Sequence, residues 1–241
     1  MSIGPSMPLR LEKPERIDLA QAARYFGARG GADAATQALL EKCAVPLLAA
    51  ATPRAVWLEA DPDSLTAAGI LAGGDVAKHL EGCTAALLLA VTLGPGVDAQ
   101  IRRAGVGDIA AGVASDALGS ALAEQAAEAA EAELRQWAAR QGKYLTGRYS
   151  PGYGDWPLAV QPLFGVLQGS GARQLAFFGV IGQLVALHID VIDLPQQQPL
   201  GAGGQGHHHA LGGGAPALGR TVQLDAQRPI LGRLDDVVQR I

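Results

Sequence analysis

The segment from Arg148 to Leu158, called the aromatic loop below, concentrates side chains that can bind a small molecule. It holds one guanidinium, two phenols, one indole, one carboxylate, two prolines and two glycines, in a chain otherwise dominated by Ala, Leu and Gly. Pro151-Gly152 predicts a tight turn, because proline pre-sets φ and glycine accepts a positive φ. Arginine offers a planar donor fork for a carboxylate or phosphate. Two interpretations stay open: a binding loop for a partly anionic, partly aromatic ligand, or a rigid surface turn over packed aromatics.

The aromatic loop resembles a motif of a known family. Its first half matches the Arg-x-x-Pro-Gly-Tyr motif of the activation domain of cobalamin-dependent methionine synthase. Its second half, followed by Gln161 and Leu163-Phe164, resembles the stand-alone members of that family. The resemblance implies that S-adenosylmethionine is bound by five residues of this loop: Arg148, Pro151, Gly152, Tyr153 and Asp155.

Three shorter segments resemble the same family. Leu122-Ala123-Glu124 is similar to a helical segment that carries a glutamate near the S-adenosylmethionine site. A carboxylate suits that place because the ligand carries a sulfonium and an ammonium, although exposed helix glutamates are also common without any such role. Tyr25-Phe26-Gly27 resembles a Tyr-Leu-Gly element near the start of the stand-alone members. The run from Ala90 to Gly94, followed by Asp98 and Ile101, resembles the family's strand-then-helix element.

The resemblance implies a role in reactivating cobalamin. Such a protein would position S-adenosylmethionine for reductive methylation of a cobalamin carried by a methionine synthase subunit, with a flavodoxin or ferredoxin-type electron donor. The protein supplies orientation and electrostatics, while the cofactor carries the chemistry. The alternative is a non-catalytic cobalamin-protein interaction module, or a degenerate inactive relic, in which the aromatic loop serves packing alone.

Composition narrows the classes of protein to consider. A formal net charge of −4 argues against a general nucleic-acid binder, which usually has a basic surface. The N-terminal stretch has no apolar h-region, so we expect no secretory signal peptide and a cytoplasmic protein. The apolar run from Thr84 to Leu93 is too short to span a bilayer and predicts a buried strand. Cys43 and Cys83 lack metal-type spacing and predict buried free thiols.

Hydrophobic periodicity predicts the elements that position these residues. Helices are expected over residues 15–30, 33–50, 63–71, 74–81 and 106–141, and strands over 55–60 and 87–93. In the first helix Ile17, Ala20, Ala23 and Tyr25 are expected on one face, and Pro46 should kink or end the second helix. Helix 74–81 should expose His79 as an ordinary solvated side chain. Gly94-Pro95-Gly96 is expected to form a plain turn.

The longest of these helices, over 106–141, should carry one apolar stripe that includes Ile109, Val113 and Leu118. Together the elements predict an α+β domain: an antiparallel or mixed sheet with packed helices and a long Ala-rich helix near the middle.

The resemblance covers roughly residues 15–167, which makes 1–167 an activation-domain-like region, and it fades over an atypical C-terminal part, 168–241. The family's Pro-x-Lys-Ser element is not found there, and a Gly-rich run and His207-His208-His209 follow instead. A divergent C-terminus, a low-complexity tail and a frameshifted gene are the alternatives, and the abrupt end of the resemblance favours the frameshift. We expect residues 195–220 to be disordered, because their composition cannot bury a core. Consecutive histidines in a Gly-rich run lack the fixed backbone that a metal site needs.

Overall fold

A five-stranded antiparallel sheet organises the chain. The structure is a computed structural model that describes residues 3–28 and 30–161, together with the backbone of 188–193. These residues fall in one compact unit, Met1–Pro195. The strands are β1 (Met7–Leu9), β2 (Arg54–Ala60), β3 (Ala85–Thr92), β4 (Tyr144–Leu145) and β5 (His188–Asp193). They lie in the order β1-β2-β3-β5-β4, with every neighbouring pair antiparallel.

In the part of the chain that the structure describes, six α-helices pack around the sheet, which makes the fold α+β as the sequence predicts. They are α1 (Leu19–Phe26), α2 (Ala34–Ala50), α3 (Pro62–Ala67), α4 (Gly74–His79), α5 (Pro95–Gly107) and α6 (Ile109–Ala139). Aspartate side chains cap the N-termini of four of them: Asp18, Asp33, Asp61 and Asp108. Each carboxylate accepts an otherwise unpaired N–H of the first turn, which fixes where the helix begins.

Strand β3 separates two hydrophobic cores. All of its residues are buried, because successive side chains point to opposite faces and both faces are covered. Leu87 and Leu89 join a first core with α1, α2, α5 and α6. Leu88 and Ala90 join a second core with α3, α4 and Trp156 of the aromatic loop. The predicted strands 55–60 and 87–93 are therefore confirmed as β2 and β3, each beginning one or two residues earlier.

Several helix predictions need correction. Helix α1 is shorter than 15–30 and buries Ala22 and Ala23, whereas Ala20 and Tyr25 are exposed. Helix α2 continues past Pro46 to Ala50. Pro46 lies on the exposed side of α2, so the carbonyl that loses its bond there can face solvent.

The predicted helix over 106–141 is two helices divided at Asp108. Asp108 has extended backbone angles and caps α6, while α5 begins at Pro95, inside the predicted Gly94-Pro95-Gly96 turn. The expected stripe is wrong at its start, because Ile109 and Val113 are exposed. Near this end α6 packs closely against α5 at Gly112. A Cβ on Gly112 would collide with Cα of Gly105, so the contact requires small residues. The stripe is confirmed further along, at Leu118 and Leu122.

Candidate functional site

The aromatic loop forms two consecutive turns. The Tyr153 N–H donates to the Ser150 carbonyl at 3.1 Å, and the Trp156 N–H donates to the Tyr153 carbonyl at 3.1 Å. The Gly152 N–H donates to the Trp156 carbonyl at 2.8 Å and so links the two turns. Gly152 has φ of 99°, the left-handed value that the third position of a type II turn requires. The tight turn predicted at Pro151-Gly152 is thus confirmed, with Pro151 buried and Gly152 exposed.

Asp155 ties the loop to helix α4. Its carboxylate accepts the Gly74 N–H at 2.7 Å and the Asp75 N–H at 3.0 Å. In return, the Asp155 N–H donates to the Asp75 carboxylate at 3.2 Å. These backbone donors, first that of Asp75 and then that of Gly74, hold the pKa of Asp155 below its ordinary value. Helix α4 has no side-chain cap of its own, so Asp155 supplies a cap from a distant part of the chain. Both oxygens of this expected ligand-binding residue are already engaged.

An aromatic stack lies beneath the loop. Trp156 is 1 % exposed, and its indole N–H donates to the Ile70 carbonyl at 2.8 Å. Tyr149 stacks on Trp156 with ring centres 6.0 Å apart, and His79 stacks on Tyr149 at 5.1 Å. Nε2 of His79 lies 2.8 Å from the Gly147 carbonyl oxygen. The expectation of a merely solvated His79 is wrong, because the fold brings α4 against a loop that is remote in sequence.

Arg148 turns away from this stack and reaches helix α6. Its Nε lies 2.9 Å from Glu131, and its Nη2 lies 3.4 Å from Glu124. The side chain is 19 % exposed, which makes these ion pairs partly buried. The remaining nitrogen, Nη1, is buried and has no hydrogen-bond partner among the residues that the structure describes. An unmade hydrogen bond at a buried donor is costly, so this atom marks a place for an acceptor.

Two residues of the site, Glu131 and Arg135, were not predicted from the sequence. Glu131 pairs with Arg148 and also with Arg135, four residues further along α6. Arg135 in turn donates to the carbonyls of Leu145 at 2.7 Å and Thr146 at 2.8 Å. The i,i+4 spacing of Glu131 and Arg135 is visible in the sequence, but it indicates only a common surface pair. Their link to the loop depends on the return of β4 along α6.

The tip of the loop and helix α1 each expose a tyrosine. Tyr153, at the tip of the loop, is 65 % exposed, and Tyr25, in the last turn of α1, is 51 % exposed. Burial of its ring raises the pKa of Tyr25, and the nearby charge of Glu124 raises it further. Tyr25, which resembles part of a family element but was expected to pack inward, is therefore an exposed residue near Glu124.

The structure thus brings Arg148 and Glu124 of the predicted set together. Pro151 and Gly152 shape the turn that presents Tyr153, whereas Asp155 faces α4. The plain turn expected at Gly94-Pro95-Gly96 is wrong, because Pro95 and Gly96 are the first residues of α5. Gly94 is the N-cap of that helix, and its N–H donates to Thr92 Oγ1 at 2.9 Å. Cys43 is buried, while Cys83 is only partly buried.

The described ranges contain neither a candidate metal site nor a membrane-spanning helix. No group of three or more His, Cys, Asp or Glu side chains there could hold a metal ion. In those same ranges no helix is both long and apolar enough to cross a membrane. The His207-His208-His209 run, the Gly-rich segment 195–220 and the suspected frameshift lie outside the described residues, apart from the strand β5.

Comparison with known proteins leaves the site to be interpreted from its own chemistry. No protein-family model matches the sequence, and no curated protein matches it either.

Proposed function

We propose that this protein binds S-adenosylmethionine and presents it for the reductive methylation of cobalamin on a partner protein. The observation that carries the proposal is the buried Nη1 of Arg148, which has no hydrogen-bond partner among the described residues, in a loop whose tip exposes Tyr153. A ligand carboxylate would supply the acceptor that this nitrogen lacks. Charge-assisted hydrogen bonds of this kind contribute about 1.5–3 kcal/mol, enough to decide the orientation of a small ligand.

The rest of the ligand finds matching chemistry around Arg148. Glu124 makes only a long contact with Arg148, at 3.4 Å, so its carboxylate retains capacity for the ammonium or sulfonium of S-adenosylmethionine. The exposed rings of Tyr25 and Tyr153 offer flat surfaces on which a cation or a purine can lie. S-adenosylmethionine would supply the methyl group. Within the described residues, this chain's part is to bind the ligand, orient it and balance its charges.

The partners follow from the resemblance of the aromatic loop to methionine synthase activation domains. We propose a cobalamin-carrying methionine synthase subunit as the acceptor of the methyl group. A flavodoxin or ferredoxin-type protein would provide the electron that reductive methylation needs. Activity would therefore appear only in a mixture of the three proteins, in the cytoplasm.

Calorimetric titration with S-adenosylmethionine tests the proposal directly. Arg148→Ala should weaken binding by about 10- to 150-fold, the equivalent of one charge-assisted hydrogen bond. The affinity of Arg148→Lys should lie between those of the wild type and Arg148→Ala, because lysine keeps the charge but not the planar fork. Arg140→Ala removes an exposed arginine just after α6 and should bind as the wild type does. Circular dichroism of each variant controls for folding. Equal affinity in the wild type and Arg148→Ala would remove Arg148 from the site.

A second candidate function is favoured by the hydrogen bonds that polar groups of the aromatic loop already make within the protein. Asp155 caps α4, and the indole N–H of Trp156 is bonded to Ile70. Both contacts suit a loop that serves packing in a non-catalytic cobalamin-protein interaction module or an inactive relic. A folded wild-type protein that gives no heat with S-adenosylmethionine, yet is retained by a cobalamin-bearing methionine synthase subunit, would favour the interaction module.

A further inference from the structure

Arg135 joins helix α6 to the strand that leads into the aromatic loop. Its Nη1 and Nη2 donate to the carbonyls of Leu145 and Thr146, and its Nε donates to Glu131 at 2.8 Å. Three bonds to two elements leave this guanidinium one orientation, because the planar fork cannot turn without breaking at least one of them. Arg135 therefore fixes Glu131 relative to the chain just before Arg148.

Glu131 contacts both Arg135 and Arg148. One of its oxygens, Oε1, accepts from Arg135, and the other, Oε2, lies 2.9 Å from Arg148 Nε. The side chain is only 15 % exposed, so water screens the two contacts weakly. A single carboxylate thus bridges two arginines, one bound to the backbone and one facing the proposed ligand.

Glu131, rather than Glu124, sets the direction of the Arg148 guanidinium. The Glu124 contact is 0.5 Å longer, 3.4 Å against 2.9 Å. Among the described residues Glu124 makes no second hydrogen bond that would hold it in place, whereas Glu131 is held by Arg135. Fixing Nε of a planar guanidinium limits the directions in which Nη1 can point. We infer that Glu131 and Arg135 are positioning residues that aim Nη1 of Arg148 at a ligand carboxylate, an inference that rests on the ligand binding proposed above.

A pair of ligands separates positioning from general stability. S-adenosylmethionine has the carboxylate, while its decarboxylated form keeps the adenosine, the sulfonium and the amine. Glu131→Gln should bind S-adenosylmethionine about tenfold more weakly and should bind the decarboxylated ligand within about twofold of the wild type. Arg135→Gln should behave in the same way. The matched control is Glu128→Gln, which removes one negative charge from an exposed position of the same helix and should change neither affinity. Equal weakening of both ligands in Glu131→Gln would overturn the inference, because that is the result of a merely structural role.

A second measurement does not need the ligand. In the nitrogen-15 spectrum, the Arg148 Nε–H should exchange slowly with water in the wild type and at least about tenfold faster in Glu131→Gln, because the partly buried ion pair with Glu131 shields Nε from water until it opens. Arg148→Lys identifies the signal by its loss. If the wild type binds neither ligand, the proposed function fails. The exchange data then decide the inference alone: faster exchange in Glu131→Gln but not in Glu128→Gln supports the positioning of Arg148, and unchanged exchange in Glu131→Gln overturns it.

Discussion

Gly152 holds the tip of the aromatic loop in a conformation that residues with a Cβ rarely adopt. Its φ of 99° lets the Tyr153 N–H fold back to Ser150, and this turn presents Tyr153 to solvent. A Cβ at this position would also lie 3.3 Å from Cδ1 of Leu158. The backbone, and not the packing, sets the cost of a substitution, because the Leu158 side chain can move aside.

Gly152→Ala should therefore destabilise the protein by about 1 kcal/mol and weaken S-adenosylmethionine binding by about fivefold or more. Urea denaturation and calorimetric titration measure the two effects. Gly107→Ala is the matched control, because a Cβ there meets nothing within 4 Å and its φ is not positive. If Gly152→Ala were as stable as Gly107→Ala, the turn would tolerate another geometry and the argument from positive φ would be wrong.

Trp156 is the residue that anchors the loop to the second core. Replacing it with Phe keeps most of the buried ring but removes one of the two donors to the Ile70 carbonyl, which keeps the Ala72 N–H at 3.1 Å. Losing one such hydrogen bond costs about 0.5–1.5 kcal/mol, and the smaller ring adds a cavity. We expect Trp156→Phe to lose about 1–3 kcal/mol in thermal or urea denaturation. Tyr153→Phe, at an exposed site, should lose less than about 0.5 kcal/mol. Similar losses in the two variants would show that the loop does not depend on this anchor.

At the scale of elements, helix α4 depends on a cap from the aromatic loop. It is a short helix that begins at glycines, and its first N–H groups are satisfied by Asp155. The folded-state pKa of Asp155 is lowered by these bonds, so its carboxylate stabilises the fold above the pKa of the unfolded chain. That contribution is lost as the pH falls through the lower folded-state value.

Asp155→Asn should accordingly be less stable than the wild type at neutral pH. The difference should stay constant from about pH 8 to pH 5 and shrink below about pH 4, where the Asp155 carboxylate of the unfolded chain begins to take up its proton while that of the folded protein does not yet. Urea denaturation at a series of pH values measures it. Asp63→Asn, at an exposed position of α3, serves as the control and should show no such convergence. A difference that is independent of pH down to pH 3 would contradict the assigned role of the charge.

Local signals were enough to predict most elements but not their mutual contacts. The continuous apolar run of β3 and the Ala-rich periodicity of α6 are strong patterns, because burial on both faces or on one stripe imposes them directly. The strands β1 and β4 have too few residues to show a period. The contacts of Asp155 with α4 and of Arg148 with Glu131 join segments far apart in the chain, and no local pattern encodes them. His79 was misjudged for this reason, and the contact of Asp155 with α4 was not predicted.

At the scale of the whole molecule, the aromatic loop passes around one edge of the sheet. Leu145, in the edge strand β4, belongs to the first core, while Tyr149 and Trp156 pack with the second. Arg148 lies between them and pairs with α6. The candidate site is thus held from both sides of the sheet, and a disturbance of either core should reach it.

Strand β5 links the C-terminal part of the chain to this arrangement. It pairs with β3 over Leu87, Leu88 and their neighbours, and it separates β3 from β4. The abrupt end of the family resemblance favours a frameshift over 168–241. In that case these residues would be the product of out-of-frame translation. Their backbone nevertheless occupies an interior position of the sheet. Removing β5 would leave a central apolar strand with an unpaired edge, which invites aggregation.

Two truncations distinguish a necessary strand from an accidental one. A chain ending at residue 195 keeps the compact unit Met1–Pro195 and should remain folded, with a cooperative thermal transition like that of the full chain. A chain ending at residue 187 lacks β5, so β3 and β4 lose the neighbour that both pair with. It should lose the cooperative transition and aggregate, because the backbone groups of β3 that face β5 would have no partners. Circular dichroism melting and size-exclusion chromatography measure both effects. If the two truncated chains melt alike and stay monomeric, β5 contributes nothing to the fold, and the frameshift becomes the better account of residues 168–241.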